Sequence, residues 1–190
     1  GIIVDDSFNE QVLTRAMELS PLRAQAWYMT VNISLRKADA LPEDSKDREL
    51  YYREAIGILE EYAGKEPSLP VPRYILATIY YKLGEEITAK KWADEALLLY
   101  TEPDTAAARP AVKYYLAIND WQNAVRFLAD IVEKNPSDYD VLYDLAKVTY
   151  LAGDPAASLR IVEELRKKNP AIINTDQNFL NAITAYESQR

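Results

Sequence analysis

Four proline stops constrain this chain more than any other feature. Leu19-Ser20-Pro21, Lys65-Glu66-Pro67, Lys134-Asn135-Pro136 and Lys168-Asn169-Pro170 each close a run of apolar residues spaced at three and four. Proline has no amide to continue a helix, and in three of the stops it follows a basic last turn, so each marks a helix end. Pro136 and Pro170 lie 34 residues apart. Helices that stop at a fixed period read as repeats, and a short repeat buries its apolar stripe only by stacking on its neighbours.

The runs between the stops are helical throughout. Val12, Ala16 and Leu19 share one face; so do Leu76, Tyr80 and Leu83, then Val125, Leu128, Ala129 and Val132, then Ile161 and Leu165. No segment alternates with period two for long enough to make a strand. The spacing predicts an all-α chain.

The slots then repeat in register. A unit starting at Tyr139 carries Leu142, Leu145, Ala146, Gly153, Ser158, Val162, Leu165 and Pro170. One starting at Thr105 carries Ala108, Ala111, Val112, Tyr115, Ala124, Leu128, Ile131 and Pro136, with Asn119 where the other has glycine. One starting at Pro70 carries Leu76, Ala77, Tyr80, Gly84, Ala89, Ala93 and Ala96, with Arg73 and Thr101 off pattern. The unit starting at Ala24 has Trp27 and Val31, then resumes with Ala55, Leu59, Tyr62 and Pro67 after an insertion. This pattern resembles the tetratricopeptide repeat family. The resemblance implies an all-α, right-handed superhelical solenoid of about ten antiparallel helices. One domain, 1–190, is expected to hold a half repeat (7–21), repeats at 24–67 (inserted loop 38–46), 70–103, 105–136 and 139–170, and a half repeat at 173–188. Ala89 and Ala124 fall where the two helices of a repeat approach most closely. Pro110 conflicts with its helix, which is expected to start near Arg109 or to kink there.

Composition removes function classes. The chain has no cysteine and no histidine, so it has no disulfide, no thiolate nucleophile and no imidazole base or ligand. With 22 basic and 30 acidic side chains its net charge is −8, the wrong sign for a nucleic-acid partner. No run is apolar enough to enter a membrane directly. Gly1-Ile2-Ile3-Val4 reads as a stub left by a removed or trimmed segment, which leaves the compartment open. No phosphate-cradling or nucleophile motif is present. Asp138, Asp140 and Asp144 lack the glycine of a calcium loop, and Asp138 is expected to cap a helix. No metal, cofactor or catalytic residue is expected.

Ligands of the resembled family lie in the concave groove lined by the first helix of each repeat. That maps the partner-binding groove to Tyr28, Asn32, Tyr74, Tyr81, Arg109, Lys113, Tyr143, Lys147 and Tyr150. Aromatic and basic groups there suit an extended peptide with acidic side chains, or a sugar polymer. The carboxylate clamp of chaperone-binding members is not expected: of Tyr28, Asn32, Ile75, Ala106 and Pro110, only Asn32 fits it.

The leading expectation is therefore a non-catalytic scaffold for a protein or peptide partner. A second is self-assembly. Val12, Leu13 and Ala16 at one end and Phe179, Leu180 and Ile183 at the other could pair head to tail into a homo-oligomer or fibre. A third is the soluble part of a larger bacterial envelope protein. The tyrosine-rich repeats are similar in general character to those on O-antigen ligase-like proteins.

Overall fold

The computed structural model describes residues 6–173 and 176–189. The Gly1–Val4 stretch lies outside them. The described residues are helical, with no strand, and divide into two compact units, residues 1–99 and 100–190. Within each unit, helices adjacent in sequence pack on one another, as in a helical solenoid.

The first unit holds α1 (Asp6–Leu19), α2 (Ala24–Asp39), α3 (Lys46–Lys65), α4 (Pro70–Lys82) and α5 (Glu86–Leu99). Its core is aromatic. Trp27 stacks on Tyr62 with ring centres 5.3 Å apart, and the Trp27 indole N–H donates to the Pro21 carbonyl at 2.9 Å. Such a pair adds roughly 0.5–1.5 kcal/mol to simple area burial. Leu59, Leu76, Ala77 and Ala89 are also fully covered. The insertion is mostly helix rather than loop. α2 has 16 residues and α3 has 20, against 13 and 14 for α4 and α5, and only 40–45 lie between them. Lys46-Asp47-Arg48-Glu49 forms the first turn of α3, with its acidic groups near the helix N-terminus.

The second unit holds α6 (Thr105–Ala117), α7 (Trp121–Lys134), α8 (Tyr139–Leu151), α9 (Pro155–Lys168), the short α10 (Pro170–Ile173) and α11 (Gln177–Glu187). Phe127 anchors its core, edge-on to Tyr100 at 4.9 Å and stacked on Tyr115 at 5.5 Å. Ala108, Ala111 and Ala124 have no exposure, so α6 and α7 meet through small side chains. In the next hairpin Ser158 takes the place of Ala124, and its hydroxyl donates to the Ala146 carbonyl at 2.7 Å.

Aspartates set the helix starts. Asp104, Asp120, Asp138, Asp154 and Asp176 each accept a backbone N–H from the first turn of the helix that follows. Three hairpins turn by one device. Gly84, Asn119 and Gly153 have φ of 76°, 58° and 89°. In each case the next residue's amide returns to a carbonyl of the preceding helix: Glu85 to Tyr80, Asp120 to Tyr115, Asp154 to Thr149. Asparagine can stand in for glycine here because its short side chain tolerates the left-handed region.

One expectation needs correction. α6 does not start at Arg109: it begins at Thr105 and runs through Pro110. Asp104 caps its first turn, and buried Ala107 and Ala108 fix that turn from within, which offsets the one backbone bond the proline removes. α11 starts at Gln177, where Asp176 caps it through the Phe179 amide at 3.1 Å.

Candidate binding faces

The first helices α2 and α4 carry the candidate residues of the first unit. Asn32 is exposed on α2, and Tyr81 is half-buried on α4. Tyr28 is half-buried, edge-on to Tyr62 at 5.6 Å. Burial, with Tyr62 adding to it, holds the Tyr28 hydroxyl well above the ordinary tyrosine pKa, so it stays neutral. Tyr74 has no exposure. It is a core side chain beneath the face, not a contact on it.

The polar side chains of this unit converge below the insertion instead. Asp39, on the last turn of α2, accepts from the Tyr52 hydroxyl of α3 and from Lys82 Nζ of α4 at 2.7 Å. Burial alone would raise the Asp39 carboxyl, but the Lys82 and Tyr52 hydrogen bonds outweigh it and hold the pKa low. Arg48 and Lys82 both lie over the Tyr52 ring, at 5.6 and 5.5 Å. This hub ties three helices together.

In the second unit α6 and α8 carry Arg109, Lys113, Tyr143, Lys147 and Tyr150. Arg109, about half exposed, bonds the Asp138 carboxylate at 3.1 Å. Lys113 is exposed. Lys147 Nζ stands 5.1 Å from the Tyr143 ring centre and 3.6 Å from Asp144. Tyr143 itself is only 5% exposed, so it is the platform under Lys147 rather than a surface group. Tyr150 is half-buried, edge-on to Phe179 at 6.0 Å. What this face can offer a ligand is two cations already oriented by neighbours, a third in solvent, and the edge of one tyrosine.

The six end residues divide. Val12 is 51% exposed, while Ala16 and Leu180 are half-buried. Leu13, Phe179 and Ile183 are buried inside their own units. Gln177, Asn178, Asn181 and Thr184 face solvent on α11.

Carboxylate clusters do not gather into sites. Among the described residues no group of three acidic side chains could hold a metal. Asp138 caps α8 and takes Arg109, Glu60 accepts from Tyr80 at 2.8 Å, and Glu164 pairs with Lys168. No described helix is long and apolar enough to cross a membrane. Clefts between helices escaped the sequence reading, because each needs facing helices to exist. One, of about 420 Å³, lies among α7, α8 and α9, lined by Val125, Ala129, Leu145, Thr149 and Ile161. Another lies between α1 and α2.

Paired helices, small residues at their contact and left-handed turn residues at one repeated place define the repeat. The tetratricopeptide repeat family model matches residues 115–173. Over these residues the chain is similar to tetratricopeptide repeats. The matched segment runs from the end of α6 to α10, and it contains Tyr143, Lys147 and Tyr150 of the candidate face. A crystal structure of a tetratricopeptide repeat protein from Parabacteroides merdae is 16% identical; the match covers 83% of this chain and 71% of that one, with a TM-score of 0.40. That likeness is too loose to carry residue correspondences. No curated protein matches the sequence.

Proposed function

We propose that this chain is a non-catalytic scaffold, and that the face made by α6 and α8 binds an extended, carboxylate-bearing peptide. The observation that carries this is the placement of Lys147. Its ammonium is held over the Tyr143 ring and beside Asp144, so it is oriented before any ligand arrives. Arg109 is oriented likewise by Asp138, and exposed Lys113 adds a third cation on α6. On a chain of net charge −8, a basic strip of this kind steers acidic segments toward itself. Tyr150 offers a partly open ring edge beside it. Chemistry is not proposed: no imidazole or thiol exists in the sequence.

A peptide array of random dodecamers tests this. The native chain should select peptides enriched in Asp and Glu, and the Lys113→Glu/Lys147→Glu variant should lose that enrichment. Equal selection by the two proteins would refute the assignment. Head-to-tail assembly is the weaker reading. Phe179 and Ile183 already serve the second unit's own core, and the outward side of α11 is polar.

A further inference from the structure

Residues 69 positions apart occupy equivalent places in the two units. Leu59 matches Leu128, Ala77 matches Ala146, and Gly84 and Gly153 make the same left-handed turn. α3, α4 and α5 of the first unit therefore correspond to α7, α8 and α9 of the second. In the first unit this three-helix joint is tied twice. Arg53 of α3 pairs with Glu85, just before α5. The Tyr80 hydroxyl of α4 donates to Glu60 of α3 at 2.8 Å, and its ring fills the joint, only 9% exposed.

The second unit has neither tie. Gln122 stands in the place of Arg53 and is neutral. Ala129 stands in the place of Glu60 and has no side-chain acceptor. Thr149 stands in the place of Tyr80 and has no ring, and Ile161 replaces Trp92. All four line the cleft of about 420 Å³ among α7, α8 and α9, whose walls are otherwise mainly apolar. Every residue from 121 to 168 is described, so the three helices that form it are complete.

A second observation lies on the same wall. Thr149 is 6% exposed, and its hydroxyl has no hydrogen-bond partner. Thr30 and Thr78, also on helices, donate to the carbonyl four residues earlier at 3.0 Å. A buried hydroxyl left unpaired costs about 1–3 kcal/mol.

We propose that the α7–α8–α9 cleft binds a small neutral aromatic compound that carries a hydroxyl group, a phenol being the type. The ring takes the volume that Tyr80 fills in the first unit, and the hydroxyl supplies the partner that Thr149 lacks. The cleft falls within the range of about 300–1,000 Å³ typical of small-molecule sites. Exposed Asp154, which also lines it, disfavours a carboxylate ligand. None of Arg109, Lys113, Lys147 and Tyr150 lines the cleft, so this assignment and the α6–α8 peptide face can fail separately.

The probe is p-cresol, the tyrosine side chain as a free molecule, titrated into the methyl-labelled whole chain. The expected result is saturable shifts of the Val125, Leu145, Thr149 and Ile161 methyl signals, with those of Leu59 and Leu76 unmoved. Thr149→Tyr and Ile161→Trp each install the residue that the first unit carries at that place, with folding checked by circular dichroism. Each should weaken p-cresol at least tenfold. Thr149→Val keeps the shape without the hydroxyl, and should weaken p-cresol about two- to tenfold while leaving toluene unchanged. No saturable shift up to the solubility of p-cresol, or shifts undiminished in both Thr149→Tyr and Ile161→Trp, would overturn the site. Equal affinity for p-cresol and 4-methylbenzoate would overturn the ligand class. Shifts of the same methyl signals with protein concentration alone would give the cleft to a second copy and overturn the proposal.

Discussion

Replacing Ala124 with leucine tests the packing argument at its tightest point. Ala124 has no exposure and lies where α7 meets α6, opposite a helix whose Ala108 and Ala111 are equally covered. Three added carbons have no space there, so the helices must separate or side chains must leave their rotamers, at about 1–3 kcal/mol. For a unit of this size each kcal/mol lowers the melting midpoint by about 4–8 °C. The expected drop is therefore about 5–20 °C, read by far-ultraviolet circular dichroism. Ala129→Leu is the control: it lies on the same helix but is exposed, and surface changes stay within about 0.5 kcal/mol. Helix propensity changes equally in the two variants, so only packing separates them. If both melt alike, the close approach of α6 and α7 is not what holds this hairpin.

Other outcomes follow from the same contacts. Gly153→Ala should cost about 1–2 kcal/mol in urea unfolding, purely from backbone strain at φ 89°, because an added Cβ meets nothing within 4 Å. Phe127→Ala should cost about 3–5 kcal/mol in the same assay, since the ring is fully buried between Tyr100 and Tyr115. Asp154→Ala should cost about 1 kcal/mol by loss of the α9 cap. Alkaline titration should reveal Tyr80 and Tyr100. Burial, and then hydrogen bonds to Glu60 and Asp130, push both hydroxyls up to about 12. A raised folded pKa favours the protonated form, so their stabilisation is complete below about pH 10, the unfolded value. It is lost as pH rises toward 12. Phenolate absorbance should show a late-titrating class, and stability should fall across that window; titration of every tyrosine near 10 would contradict this.

The helices were legible because their periodicity, caps and stops act locally. Asp120, Asp138 and Asp154 mark helix starts through hydrogen bonds spanning three residues, which a sequence shows directly. Pro110 points to a late start of α6, but it is a local signal that a cap and buried alanines override. The candidate faces were legible only in part. Helical position gives Tyr74 and Tyr143 the same repeat slot as the candidate groove residues, but a large ring can be buried beneath its neighbours, and these two are buried. Whether Phe179 packs inward or onto another molecule depends on Tyr143 and Tyr150, far away in sequence. The Asp39 hub joins residues from three helices, so no single stretch announces it.

The most direct test of the scaffold reading is amide chemical-shift mapping of the isotope-labelled chain with an acidic peptide selected on the array. The account predicts perturbations concentrated on α6 and α8, around Arg109, Lys113, Lys147 and Tyr150, which vanish in the Lys113→Glu/Lys147→Glu variant. Perturbations concentrated on α7 and α9, or unchanged by that variant, would contradict it.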